Sequence, residues 1–169
     1  SLVPYLFTMF YDYKTMGKPP VRALVCDFED EPESFECDSE FLFGDSMLVA
    51  PLIDNQTERD VWLPRGVWYD FFTGKKYEGG VHRIATDGIP VFVKDKTVLP
   101  VAAPVNFVAS DTKFEITLKA FGDCSESVCR LVEDSDDSKN ATYAVHTLTP
   151  SNTKLDSQRY CIVGVEFIK

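Results

Sequence analysis

The sequence contains no apolar run of roughly 18 residues or more, the length that a membrane-spanning helix requires. It also has no positively charged segment followed by an apolar stretch at its start, the pattern of a secretory signal. We therefore expect a soluble chain with no membrane partner. These absences leave the compartment open, with the cytoplasm slightly favoured.

Basic residues are scarce relative to acidic ones. The chain has 17 Lys and Arg against 27 Asp and Glu, which gives a formal net charge of −10. A strongly acidic chain is repelled by phosphate backbones and anionic lipids, so no nucleic acid is expected as its main partner. An uncharged or cationic ligand fits this composition better.

Cysteines with the spacing of a metal site are also missing. The five cysteines are scattered and lack the paired spacing that zinc sites need, so we expect no metal and no cofactor. Ordinary thiols in a reducing compartment are the simpler interpretation, and one Cys124–Cys129 disulfide is the alternative. The five are Cys26, Cys37, Cys124, Cys129 and Cys161.

Other patterns that carry chemistry are weak. Neither His82 nor His146 can be paired with a Ser or Cys nucleophile from the sequence, so a catalytic triad is not expected. The acidic stretch 133–137 lacks the spaced ligands of a calcium loop and is interpreted as a solvated turn. Glycosylation sequons begin at Asn55 and Asn140 and matter only in a secreted protein.

The first 40 residues predict one helix and one strand. Residues 2–13 are apolar on almost every face of a helix, which must therefore be covered on several sides, and Gly17 ends it. Val21–Phe28 is an apolar run typical of a buried strand. One helix and one strand do not make a domain. The polar, acidic stretch 29–40 is interpreted as a boundary.

From Phe41 onward the chain predicts short strands and turns. Arg65-Gly66 and Thr73-Gly74 are interpreted as tight reversals, and residues 114–120 alternate cleanly between apolar and polar. Two successive antiparallel β-sandwiches are the economical fold. The expected strands are 46–51, 60–63, 67–72, 76–77, 82–85, 91–94, 98–99, 114–120, 128–133, 143–149 and 160–168.

Three motifs in this β-rich part carry a family resemblance. They are FLFGDSMLVAP at 41–51, DVWLPRGVWYDFFTG at 60–74 and IPVFVKDKTVLP at 89–100. In this order they resemble the region just after the catalytic barrel in glycoside hydrolase family 31, the α-glucosidase and α-xylosidase family. The resemblance extends upstream, through LVPYL, GKPPVR and DFED, and downstream to LVED at 131–134, where the family's usual glycine is not in place.

The resemblance implies a retaining α-glycosidase, which uses two carboxylates, a nucleophile and an acid/base. The family's aspartates lie upstream of this region, and their motifs are absent here, so no catalytic residue is expected and the chain alone is predicted to be inactive. The implied partners are the upstream catalytic barrel of the same polypeptide and a carbohydrate substrate of the parent enzyme.

The predicted fold class is mainly β, with two sandwiches preceded by the last helix and strand of a (β/α)8 barrel. The predicted domains are residues 1–40 for the barrel end, 41–104 for a proximal sandwich and 105–169 for a distal one. A free-standing carbohydrate-binding module is the alternative function, and a β-rich scaffold without a ligand is the third.

The substrate-binding candidates are two acidic residues and two tryptophans. Asp27 and Glu29 lie at the C-terminal end of the candidate barrel strand, the end where barrel active sites form, although an ion pair with Arg22 is the favoured role. Trp62 and Trp68 belong to an aromatic cluster that serves either as a sugar-stacking platform or as core, and core is favoured for most of that cluster.

Asp45 is a further carboxylate to consider, because it follows Gly44 in an apolar and aromatic context. Such surroundings raise the pKa of an acid and poise it for catalysis. The sequence Gly44-Asp45-Ser46 nevertheless favours a turn, in which backbone N–H groups satisfy the carboxylate. The turn role is the expected one.

Overall fold

The structure is a computed structural model that describes residues 1–53, 56–105, 107, 112–134 and 142–169. The sequons at Asn55 and Asn140 and the acidic residues 135–137 lie outside this part of the chain. The described elements, in chain order, are α1 (Val3–Met16), β1 (Val21–Ala23), α2 (Glu33–Glu36), β2 (Phe41–Phe43), β3 (Met47–Val49), β4 (Glu58–Asp70), β5 (Lys76–Ala85), β6 (Val91–Lys94), β7 (Thr97–Ala102), β8 (Phe114–Phe121), β9 (Cys129–Asp134), β10 (Tyr143–Leu148) and β11 (Tyr160–Ile168).

The chain divides into two compact units. The central unit comprises residues 19–95 with Lys169, and the helix unit comprises residues 1–18 and 96–168. Strands dominate both units and form open sheets, so the predicted mainly-β class is confirmed. Among the described residues, no helix has the length and apolar character needed to cross a bilayer. The domain boundaries 1–40, 41–104 and 105–169 stay a prediction.

The central unit is built on one antiparallel sheet with the order β1-β2-β3-β6-β4-β5. Apolar side chains on successive strands meet in one core, because strand residues of one parity share a face of the sheet. The fully buried members include Leu42, Leu48, Leu63, Trp68 and Phe92.

The strand predicted over residues 21–28 is shorter than expected. Only β1 is extended, and Leu24–Cys26 form a 3-10 turn in which Asp27 N–H bonds to the Leu24 carbonyl. β1 pairs with β2 at the edge of the open sheet, with Val21 opposite Phe43. The origin of this segment in a catalytic barrel therefore stays a prediction.

The reversal predicted at Arg65-Gly66 is wrong. β4 continues through these residues, and its register with β5 shifts between Leu63 and Val67. The segment is a bulge rather than a turn, and Gly66 meets its φ of +129° at low cost because glycine has no Cβ. The reversal at Thr73-Gly74 is confirmed, since Gly74 lies at φ +72° and donates to the Asp70 carbonyl at 2.9 Å.

The helix unit contains α1, which confirms the predicted helix and extends it to Met16. It ends as predicted at Gly17, whose left-handed backbone lets its N–H donate to the Tyr13 carbonyl. The Thr8 hydroxyl, buried on the inner face, accepts a hydrogen bond from Val132 N–H at 3.3 Å in β9. Asp12 adds an ion pair with Arg130 at 2.9 Å.

The remaining strands of the helix unit form a three-stranded sheet, β11-β8-β7, and a two-stranded sheet, β10-β9. β8 alternates as predicted. Its pairing with β11 is parallel, however, so the all-antiparallel prediction is wrong for this pair. Alternation reports which face of a strand is buried and carries no information about the direction of its neighbour.

Cys124 and Cys129 are both buried in the helix unit as thiols, so the alternative of a bridge between them is not formed. Cys124 Sγ lies 3.3 Å from the Thr97 carbonyl oxygen and 3.2 Å from that of Phe121. Burial raises the pKa of Cys129 to about 12. Both residues therefore behave as small core side chains.

Candidate functional site

Asp27 is held by an arginine, as the sequence favoured. Arg22 Nε donates to Asp27 Oδ1 at 2.7 Å, and Nη2 pairs with Asp27 Oδ2, which makes the contact bidentate. The Arg22 side chain is only 5% exposed. The hydrogen bond that Arg22 donates to the Asp27 carboxylate is the main reason why the pKa of Arg22 is raised. Glu29, two residues on, is exposed. Substrate contact by either residue stays a prediction.

Asp45 joins the same arrangement. It lies in the turn between β2 and β3, where Gly44 at φ +68° donates its N–H to the Pro20 carbonyl at 2.7 Å. Arg22 Nη2 lies 3.1 Å from Asp45 Oδ1, so one guanidinium holds two carboxylates. The fork of Arg suits this geometry, and the result is a structural charge network rather than an acid poised for chemistry.

Trp68 lies in the core of the central unit. It is 1% exposed, its indole N–H donates to the Pro64 carbonyl at 2.8 Å, and its ring contacts Phe28 at a centroid distance of 6.4 Å. A ring with no accessible face stabilises the fold by burial, and it has no surface on which a sugar can stack.

Trp62 is placed differently. Its side chain is half-buried at the margin of the same core, and its backbone N–H donates to Glu40 Oε1 at 3.1 Å. It also lines an open cleft of about 530 Å³, together with residues from β5 and from residues 30–36, which comprise α2 and the loop before it and are called the α2 segment. The structure therefore places Trp62, one of the four residues singled out from the sequence, on a cleft.

A buried ion pair supports the strand that carries Trp62. Glu40 is 5% exposed, and its Oε1 accepts from Arg59 Nη2 at 3.0 Å as well as from Trp62 N–H. Burial raises the pKa of Glu40. Burial, and then the neighbouring Glu40 carboxylate, raise the pKa of Cys37 to about 12. Sequence reasoning missed this pair because Glu40 belongs to a polar stretch that was interpreted as a boundary.

Sequence reasoning also missed the other walls of the cleft. They come from three separate segments, at Glu31, Arg65 and Glu78. Their proximity depends on the β4 bulge and on how residues 30–36 lie over it. One local signal was present, the Gly79-Gly80 pair inside a strand, because glycine within a strand marks a bulge or a close backbone approach.

One cluster in the helix unit has the residue types of a triad but not their order. Glu133 Oε2 accepts from Ser157 Oγ at 2.6 Å and lies 3.1 Å from His146 Nε2. A triad needs the histidine between the hydroxyl and the carboxylate, whereas here the carboxylate lies between them. Among the described residues, no group of three or more His, Cys, Asp or Glu is arranged to hold a metal ion.

Comparison with known proteins explains the motifs. A sequence profile described as "Glycosyl hydrolase family 31 C-terminal domain" matches residues 17–99. An alpha-xylosidase of Saccharolobus solfataricus is 35% identical over 105 residues, which are 59% of this chain and 14% of that protein. The neutral alpha-glucosidase C of Homo sapiens is 36% identical over 111 residues, which are 62% of this chain and 12% of that protein.

The fold recurs in a solved structure, the GH31 alpha-xylosidase of Xanthomonas citri, with a TM-score of 0.80. That match covers 100% of this chain and 20% of the enzyme at 23% identity, so it concerns the fold alone. The chain therefore spans about a fifth or less of the length of these relatives. Together the profile, the identities and the motifs show that the chain carries, at residues 17–99, the C-terminal domain of glycoside hydrolase family 31.

Proposed function

We propose that this chain is the C-terminal portion of a retaining α-glycosidase that hydrolyses O-glycosidic bonds of the α-glucoside or α-xyloside type in carbohydrate metabolism. The catalytic aspartates lie in an upstream barrel of the same polypeptide. The role of this chain is structural, and it shapes the outer part of the substrate site. Its motifs support this role, since they follow the family's catalytic region and include neither catalytic aspartate motif.

The observation that carries the proposal is the size relationship to the relatives. The chain is 35% identical to an enzyme named alpha-xylosidase, yet the match covers only 14% of that enzyme. The match to neutral alpha-glucosidase C covers 12% of its length. We therefore assign the chemistry, which needs two opposed carboxylates about 5 Å apart, to the remainder of such a protein.

The outer face of α1 supports a partner that covers it. Val3, Phe10 and Tyr13 recur at helical spacing and are 52–57% exposed. Apolar side chains grouped on one helix face mark an interaction surface. We assign this surface to contact with the rest of the catalytic barrel. In this proposal residues 1–40 form the last helix and strand of that barrel, and residues 41–104 and 105–169 form the two sandwiches.

The test is the intact mass of the native protein in its source, detected with an antibody raised against this chain. Recombinant 169-residue chain, at 19.1 kDa, serves as the size standard. A species several times larger, with activity on chromogenic α-glucosides or α-xylosides that the antibody depletes, is the expected result. A single species of the standard's size would refute the proposal and leave the free-standing module as the next hypothesis.

A further inference from the structure

The cleft beside Trp62 has the dimensions of a ligand site. Its volume of about 530 Å³ lies within the range of roughly 300–1,000 Å³ that is typical of small-molecule pockets. It is open to solvent at the surface of the central unit, and its walls come from the α2 segment, β4 and β5. The side chains that define this Trp62 cleft are Glu31, Glu33, Trp62, Arg65 and Glu78.

The walls are tied to one another through the backbone. Both oxygens of Glu31 accept from Arg65 N–H, at 2.9 and 3.2 Å, which joins the α2 segment to the bulge of β4. Asp30 adds an ion pair with Arg65 Nη2 at 2.8 Å. On the other side, the buried Glu40 fixes the strand at Trp62 N–H. A site whose walls are already connected loses little conformational entropy when a ligand binds.

Glycines keep the cleft open. Gly66 and Gly80 lie at φ +129° and +126°, where other residues are strained, and a Cβ added at either would meet nothing within 4 Å. Gly79 differs, since its Cβ would lie 2.8 Å from both Arg65 Cα and the Pro64 carbonyl oxygen. The strands therefore approach closely at Gly79, while the open space beside Gly66 and Gly80 leaves room for a ligand to reach the backbone.

The chemistry of these walls matches a polyhydroxylated neutral molecule. The half-buried indole of Trp62 supplies an apolar aromatic surface, on which the C–H face of a sugar ring packs. Glu33 and Glu78 accept hydrogen bonds from hydroxyl groups, and the Arg65 guanidinium donates to them. The three carboxylates of the cleft disfavour phosphate, sulfate and uronic acid groups.

We propose that the Trp62 cleft is a non-catalytic binding site for a neutral oligosaccharide with α-linked glucose units. The choice of α-linked glucose rests on the proposed function, whereas the site itself rests on the cleft. It gives the C-terminal domain a contact with glycan at the surface of the central unit, in addition to its structural role.

The two tryptophans of the chain allow a direct test by fluorescence. Trp68 is shielded in the core, so acrylamide quenching of the folded chain reports mainly on Trp62. Saturating maltotetraose or isomaltotetraose is expected to reduce the quenching constant, and cellotetraose at the same concentration is not. Failure of both α-linked probes to protect Trp62, or protection by trilysine alone, would overturn the proposal.

Variants locate the binding, with retardation in native gels containing soluble starch or dextran as the measurement. Trp62→Ala is expected to abolish retardation, and Glu78→Gln to weaken binding at least about tenfold, which corresponds to about 1.4 kcal/mol. Phe72→Ala is the matched control, because Phe72 is a 71%-exposed aromatic residue of the same unit outside the cleft. If circular dichroism shows that Trp62→Ala is misfolded, the retardation of Glu78→Gln decides whether the glycan binds in the cleft.

Equal retardation of wild type, Trp62→Ala and Glu78→Gln would place the binding elsewhere and overturn the proposal. The outcome is independent of the size measurement that tests the proposed function. A 19-kDa native species that binds starch through Trp62 would refute the parent enzyme and keep the site. A large, active native species, combined with no glycan binding by the 169-residue chain, would support the parent enzyme and refute the site.

Discussion

The indole N–H of Trp68 donates to the carbonyl oxygen of Pro64 at 2.8 Å, across the bulge of β4. The bond links two buried residues four positions apart, at the point where the register with β5 shifts. Trp68 thus fills the core and satisfies a buried backbone carbonyl of the bulge. Both contributions follow from the position of Trp68 in β4, two residues beyond Gly66.

Replacement of Trp68 separates these contributions. Trp68→Ala is expected to lower the free energy of unfolding by roughly 3–5 kcal/mol, because it empties a large buried site. Trp68→Phe keeps an aromatic ring but leaves the Pro64 carbonyl without this donor. It is expected to lower the free energy of unfolding by about 1–3 kcal/mol. Urea denaturation measures both. The control Phe72→Ala, at an exposed ring, should stay within about 0.5 kcal/mol; an unmoved midpoint in Trp68→Ala would contradict the core assignment.

The two carboxylates held by Arg22 are not expected to be equivalent. Asp27 receives two hydrogen bonds from a buried guanidinium, so Asp27→Asn should cost about 1–3 kcal/mol of stability. Asp45 is 61% exposed and lies at the longer distance, so Asp45→Asn should cost less than about 1 kcal/mol. Thermal melts of the two variants provide the comparison. A larger loss in Asp45→Asn would reverse the assigned order of the two contacts.

The sequence predicted correctly those helices and strands whose ends or buried faces are determined by residues close by in the chain. Gly17 marked the end of α1, where a helix commonly ends at glycine, and the alternation of β8 marked its buried face. Arg65-Gly66 was misread because a glycine at positive φ serves a turn and a bulge equally well. The pairing of β4 with the next strand, β5, decides between them.

The candidate site was less predictable because it depends on contacts between distant segments. The glutamates at 31 and 78 are 47 positions apart, and they line one cleft only because the fold brings the α2 segment next to the β4–β5 hairpin. Trp62 and Trp68 have similar sequence contexts, yet one lines a cleft and the other is enclosed. The bulge changes which face of the sheet each later residue of β4 lies on. A simple alternation of apolar and polar residues does not predict this change.

Glu133 makes the helix unit sensitive to acid. Burial opposes its ionisation, but hydrogen bonds from Ser157, from His146 and from the backbone N–H groups of residues 158 and 159 outweigh this and lower its pKa. A carboxyl group with a lower pKa in the folded state stabilises the fold above its unfolded pKa, about 4.3, and loses that contribution as pH falls through the folded value.

Glu133→Gln is therefore expected to be less stable than wild type at pH 7, and the difference should shrink as the pH falls below about 4. Unfolding by urea at a series of pH values measures this difference. Ser157→Ala, which removes the donor at 2.6 Å, should show the same trend with a smaller amplitude. A difference between Glu133→Gln and wild type that is constant with pH would show that Glu133 titrates normally.

The close approach of β4 and β5 at Gly79 gives a further test of the bulge. An alanine Cβ there would lie 2.8 Å from the Arg65 Cα and the Pro64 carbonyl oxygen, which are backbone atoms that cannot move without shifting the strand. Gly79→Ala is expected to destabilise the fold by about 1–3 kcal/mol, as overpacking does. Because the displaced strand carries Trp62 and Arg65, the same variant should also weaken any ligand contact in the cleft.

Gly88→Ala provides the matched control for Gly79→Ala, since the nearest atom to its Cβ is the Thr86 hydroxyl at 3.9 Å. With no clash and a smaller unfolded-state entropy, it should be neutral or stabilising by up to about 1 kcal/mol. Thermal melts of the two variants in parallel distinguish a local clash from a general loss of glycine flexibility. Equal destabilisation by both would show that β4 and β5 are not in close contact at the bulge.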